Sequence, residues 1–161
     1  MKIIAVDPGY DRAGFAIISG KREAPELIHS ECLETNKEAP YEERLFSVGK
    51  KIEELINLHK PECMAIEALF FAKNKKTALR VSEIRGMCVY IAKKCGIEIS
   101  EYTPNQVKNA VTGNSNADKK QIMRMVPLLI QIQENTKRHD DEYDAIAIGI
   151  THLSARKNEW Q

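Results

Sequence analysis

The run Ile3-Ile4-Ala5-Val6, stopped by Asp7-Pro8-Gly9, constrains this chain most. Successive side chains on a strand point to opposite faces, so an unbroken apolar run reads as a buried central strand, here Lys2–Val6, followed by a turn. Gly14–Ser19 predicts a second strand and Glu26–Thr35 a third, with Asp7 through Gly14 as a hairpin link. From Tyr41 the period changes. Tyr41, Leu45, Val48, Ile52, Leu55 and His59 step by threes and fours, predicting an amphipathic helix that Pro40 can open.

Cys63–Ile66 is a further short buried strand ending at Glu67. A long helix is expected over residues 76–95, with Thr77, Val81, Ile84, Cys88, Ile91 and Cys95 as its stripe and Gly96 as its cap. Leu79, Met87 and Tyr90 lie off that stripe and suggest a second apolar face, for a partner or a covering loop. Ile97–Tyr102 predicts a fifth strand. Pro104–Val111 predicts a helix with Thr103 as N-cap. A polar loop, 113–116, leads to a helix over Asp118–Ile132 bent or divided by Pro127. A charged loop, 133–140, precedes a last helix over Asp141–Arg156. The order β-β-β-α-β-α-β-α-α-α implies an α/β domain: a five-stranded mixed sheet flanked by helices. With 161 residues the expectation is one domain over 1–161.

No stretch approaches the roughly 18 apolar residues of a membrane span, and the N-terminal apolar run is too short for a signal peptide, so a cytoplasmic protein is expected. The four cysteines, Cys32, Cys63, Cys88 and Cys95, fit no zinc spacing; the last three read as reduced core residues. Net charge is only +1. Its distribution is uneven: residues 68–125 hold eleven Lys and Arg against four acids. Such a region suits a phosphate backbone, or else a solvated helix face.

The acids carry the chemistry. Asp7 ends the first strand and Glu67 the fourth, each straight after apolar residues where an uncompensated charge is costly. Strand ends in open sheets are where ligand sites gather. On the last helix, Asp144 can share a face with Asp141 or with Asp140. Four converging carboxylates call for hard divalent cations, Mg²⁺ or Mn²⁺. Two such ions about 4 Å apart suit in-line displacement at a phosphodiester.

Three blocks resemble the RuvC family, over about residues 2–153. They are Ile4-Ala5-Val6-Asp7-Pro8-Gly9 with Gly14; Ile66-Glu67-Ala68-Leu69-Phe70-Phe71-Ala72-Lys73-Asn74, continuing through Thr77-Ala78-Leu79 to Arg85-Gly86; and Tyr102-Thr103-Pro104 through Val107-Lys108, Val111-Thr112-Gly113 and Ala117-Asp118-Lys119 to Asp141-Glu142-Tyr143-Asp144-Ala145-Ile146-Ala147 and His152. The resemblance implies a ribonuclease H-like fold and a homodimeric endodeoxyribonuclease that resolves Holliday junctions by paired nicks, leaving 5′-phosphate and 3′-hydroxyl ends. It implies two Mg²⁺ per site, replaceable by Mn²⁺, on Asp7, Glu67, Asp141 and Asp144, which selects Asp141 over Asp140. It implies Lys108 and Lys119 as catalytic lysines and Phe70 as a residue stacking on junction bases. Lys73, Asn74, Lys75, Lys76, Arg80, Lys120 and Arg124 are the expected contacts to branched DNA, and a branch-migration motor is an expected partner. Ala13, Ser115 and Gly149 depart from the family pattern; Ser115 stands where a glycine with φ > 0 would be expected to approach DNA.

Rival readings are a broader debranching nuclease of phage type, acting on forks and three-way junctions; a non-catalytic DNA-binding module; an actin-like ATPase; and a related RNA-precursor nuclease. The ATPase would require a second domain. The RNA nuclease would be expected to lack the block from Phe70 to Gly86.

Overall fold

A computed structural model describes residues 1–68, 75–132 and 138–155, the side chains of 75–77 excepted. The strands are β1 (Lys2–Asp7), β2 (Arg12–Lys21), β3 (Ala24–Glu34), β4 (Cys63–Glu67) and β5 (Glu98–Tyr102). The helices are α1 (Tyr41–His59), α2 (Lys75–Lys94), α3 (Pro104–Thr112), α4 (Lys119–Leu129) and α5 (Asp140–Ala155). The sheet order is β3-β2-β1-β4-β5. β1 and β2, and β2 and β3, are antiparallel, whereas β4 runs parallel to β1 and β5 parallel to β4. The expected mixed sheet with helical cover is present, and β1 is its central strand.

The apolar run of β1 divides by alternation. Ile3 and Ala5 join one buried cluster with Val107 and Val111 of α3, Ile122 and Val126 of α4, and Ala145 to Ile148 of α5. Ile4 and Val6 join the opposite cluster with Val48 and Ile52 of α1 and Ile84 and Cys88 of α2. Both faces of the sheet are therefore dry, and each isoleucine buried there contributes about 1.5–3 kcal/mol. Gly149 lets α5 sit directly on the sheet: a Cβ at that position would lie 2.5 Å from the Ile18 side chain.

Several sequence expectations are corrected. Cys95 is exposed, not core, because it lies on the outer side of the turn closing α2. Arg44, not anticipated in the core, is buried in α1, donating from Nε to the Thr35 hydroxyl at 2.9 Å and pairing with Asp11. These bonds compensate the buried guanidinium. Ser115 takes no positive φ; Gly113 carries the left-handed conformation that closes α3, at φ 72°. Leu79 and Tyr90, each 67% exposed, leave an apolar side of α2 with no covering loop among the described residues, whereas Met87, expected with them, packs into the core beside Gly49 of α1. No described helix is long and apolar enough to cross a membrane.

Candidate active site

Alternation along two adjacent strands builds the first half of the site. In the β1–β4 register Ile3 faces Cys63 and Ala5 faces Ala65, all in the cluster beneath α5. One pleat further on, Asp7 and Glu67 end their strands on this same side. The hairpin after Asp7 is tight: a Cβ on Gly9 would lie 1.9 Å from the Arg12 carbonyl oxygen. Gly14, opposite Asp7 on β2, gives room for α5, since its Cβ would lie 1.9 Å from the Asp141 carbonyl oxygen.

The first turn of α5 supplies Asp141 and Asp144, on the face toward the strand ends. Glu142 on the other side fixes this turn. It accepts the Ser30 hydroxyl at 2.8 Å and the His139 backbone N–H at 3.0 Å. Two capped helices then bring in the lysines. Thr103 and Gln106 form a capping box that starts α3, and Asp118 and Gln121 form another that starts α4. Lys119 is thereby held at the first helical position of α4, its ammonium 3.0 Å from Asp144 Oδ2 and 3.5 Å from Asp140 Oδ2. A cleft of about 220 Å³ opens between them, lined by Glu67, Pro104, Val107, Lys108, Lys119, Ile122 and Asp144.

The electrostatics show how close the carboxylates are. Burial, then the charges of Asp144, Glu67 and Asp141, hold the Asp7 carboxyl well above its ordinary range, and Lys119 offsets part of this. Burial and the Asp144 charge push Glu67 up to about 7, against the opposing ammonium of Lys108. Burial also raises Asp144 despite its bond to Lys119. Burial works against the charge of Lys119, yet Asp144 raises its pKa on balance.

All donors are hard oxygens crowded against like charge, and this fits a divalent cation. Among the described residues no three acidic, His or Cys side chains are already closed onto one point. Two basic side chains take up the carboxylates instead: Lys119 at Asp144, and Arg12, whose Nε lies 3.2 Å from Asp141 Oδ2. Cys32 approaches that same oxygen, Sγ at 3.8 Å.

The six residues expected to carry catalysis thus gather at one end of the sheet. Phe70, Lys73 and Asn74 lie outside the described residues, as do the side chains of Lys75 and Lys76. Lys120 and Arg124 are exposed on α4 and are not among the residues lining the cleft. Arg80 lies over the rings of Tyr10 and Tyr41, 5.1 and 4.8 Å from their centroids. Among the described residues of the basic stretch, Arg85 pairs with Glu101 and Lys94 with Glu53, besides Lys119 with Asp144 and Asp140. Sequence reading gave Arg12 and Cys32 no part in the site, and quoted His152 only as the close of the third block; that buried side chain has its Nδ1 2.9 Å from the Tyr102 hydroxyl and its Nε2 3.3 Å from Cys63 Sγ. The ion pair of Arg12 links β2 to a helix more than a hundred residues away, a proximity only the fold supplies.

A family described as "Crossover junction endodeoxyribonuclease RuvC" matches residues 3–152. A relative of that name from Brachyspira hyodysenteriae is 39% identical over 157 residues, covering 98% of this chain and 96% of its own. A solved structure of the Thermus thermophilus RuvC in complex with a Holliday junction substrate superposes with a TM-score of 0.89 at 29% identity, covering 97% of this chain and 95% of that one. The yeast mitochondrial Holliday junction resolvase shares the fold, with a TM-score of 0.68 at 14% identity over 97% of this chain and 81% of that one.

Proposed function

The chain belongs to the RuvC family of crossover junction endodeoxyribonucleases, and from that premise we propose that it resolves Holliday junctions by paired, symmetric nicks using two divalent cations. The observation that carries this reading is the meeting of Asp7, Glu67, Asp141 and Asp144 at one end of the sheet, close enough for Asp7 to feel the other three charges. These four side chains would hold Mg²⁺, with Mn²⁺ as a substitute. When bound, such ions supply Lewis acidity toward a phosphodiester and lower the pKa of water.

The chain's own residues do the rest. Asp7 and Glu67, anchored by the strands, and Asp141 and Asp144, anchored by α5, fix the donor set on rigid elements. Lys119 and Lys108 line the cleft from which a phosphate would approach. Their ammonium groups offset negative charge that grows on the phosphoryl oxygens during attack, a contribution preorganised by the two helix caps. Water attacks phosphorus and the 3′-oxygen leaves, which yields a 5′-phosphate and a 3′-hydroxyl. Lys120 and Arg124, exposed on α4, are assigned to flanking phosphates, and so are Lys73, Asn74, Lys75, Lys76 and Arg80. Phe70 is assigned to stacking on bases at the junction centre.

A homodimer completes the reading, since two nicks related by two-fold symmetry need two related sites. The support is the free side of α2, where Leu79 and Tyr90 stand eleven residues apart, on one face, with Gly86 open between them. The protein is assigned to the cytoplasm, as a single domain over 1–161, with a branch-migration motor as a further partner.

The test is cleavage of four-way, three-way and linear DNA of matched sequence, each in Mg²⁺ and in Mn²⁺. Preferential, symmetric nicking of the four-way junction is expected. Equal cutting of forks and three-way junctions would favour a broader debranching nuclease, and failure to cut any of them in either ion would leave a DNA-binding module.

A further inference from the structure

We propose that Arg12 is a cation-linked switch: it neutralises Asp141 in the metal-free protein and is released to a DNA phosphate when a divalent ion takes that carboxylate. The proposal rests on the metal reading of the site. Its geometry is local and complete. Arg12 is the first residue of β2, facing Glu34 of β3. Its backbone is held by the tight hairpin, because the neighbouring Asp11 pairs with Arg44, and the Asp11 carbonyl accepts the Thr35 N–H at 3.0 Å. Its side chain is not held in the same way. The side chain is half-exposed at 48%, and among the described residues its ion pair is with Asp141, itself only 15% exposed.

Among the described residues, Arg12 Nε forms an ion pair with Asp141 Oδ2 at 3.2 Å and the Cys32 thiol donates to that oxygen at 3.8 Å. A divalent cation is repelled by a guanidinium and competes for the same lone pairs. Cys32 cannot replace Arg12 as counter-charge, because a thiol beside that oxygen carries no positive charge in either protonation state. Binding of the ion therefore displaces the arginine. A displaced guanidinium at the rim of the site, on a long flexible stem, matches a phosphate through paired N–H donors. Arg12 would in this way couple loading of the site to grip on the strand to be cut.

The test uses the intact protein and three variants, Arg12→Gln, Arg12→Lys and, as a control, Arg22→Gln in the β2–β3 turn, about 30 Å away along β2. Mn²⁺ binding is measured by calorimetry without DNA. Affinity for a four-way junction is then measured in EDTA and in Ca²⁺. Arg12→Gln is expected to bind Mn²⁺ about two- to fivefold more tightly. It should bind the junction about fivefold more weakly in Ca²⁺, with little change in EDTA. Arg12→Lys should lie between wild type and Arg12→Gln.

Equal Mn²⁺ affinities in wild type and Arg12→Gln would overturn the switch while leaving the metal site standing. So would the same tightening in Arg22→Gln, or an equal loss of junction affinity with and without Ca²⁺. No Mn²⁺ uptake by any form would remove both the switch and the metal reading.

Discussion

Replacing Glu67 by Gln is expected to stabilise the metal-free protein while destroying its activity. Glu67 ends β4 among Asp144, Lys108 and the apolar wall of the cleft, and burial followed by the Asp144 charge raises its carboxyl from its ordinary 4.5 to about 7. A folded-state pKa above the unfolded one means that folding favours the protonated form. The contribution to stability is therefore full below pH 4.5 and is lost as pH rises to 7. Each pH unit across that interval costs about 1.4 kcal/mol, so the ionised side chain costs roughly 3 kcal/mol at pH 8. Glutamine keeps the size and removes the charge. The opposing Lys108 charge is already contained in that net shift, so the gain at pH 8 is about 3 kcal/mol. Urea unfolding in EDTA should move to a higher midpoint by roughly 1–2 M at pH 8 and hardly at all at pH 4. Adding Mg²⁺ should stabilise the wild type and not the variant. Equal midpoints at pH 8, or the same difference at both pH values, would refute the reasoning.

Asp7→Asn should lower cleavage in Mg²⁺ by about 100-fold or more while leaving junction binding in EDTA near the wild-type level; gel-shift and cleavage assays on one junction read both. Lys119→Gln should slow single-turnover cleavage by about 100-fold with little change in substrate affinity, and a loss confined to affinity would reassign that lysine to holding DNA. Gly14→Ala forces a Cβ against the Asp141 carbonyl oxygen, so the start of α5 must shift; a loss of about 1–3 kcal/mol in thermal unfolding should accompany lost cleavage.

Much of this was legible in the chain. The apolar run of β1, the fourfold steps of α1 and the Thr103-Pro104 start of α3 each follow from local periodicity or capping, and the structure places them as expected. The carboxylates at two strand ends were legible because charges straight after buried residues demand compensation. The choice between Asp140 and Asp141 was not, since both satisfy the helical spacing to Asp144; in the structure Asp140 is half-exposed against Lys119, and Asp141 is turned toward Arg12. Contacts closing long loops were also hidden. Arg44 reads as a polar helix position until Asp11 and Thr35 are seen beside it, and Glu142 reads as a helix-start charge until Ser30 of β3 reaches it. Cys95 misled for the opposite reason, because helical spacing does not say where a helix ends.

The convergence of Asp7, Glu67, Asp141 and Asp144 on divalent ions is tested most directly by anomalous scattering from crystals soaked in Mn²⁺. Peaks within bonding reach of Asp7 and Asp144, lost in the Asp7→Asn protein, are the predicted result. A crystal that binds Mn²⁺ only elsewhere, in a protein that still cuts junctions, would contradict it.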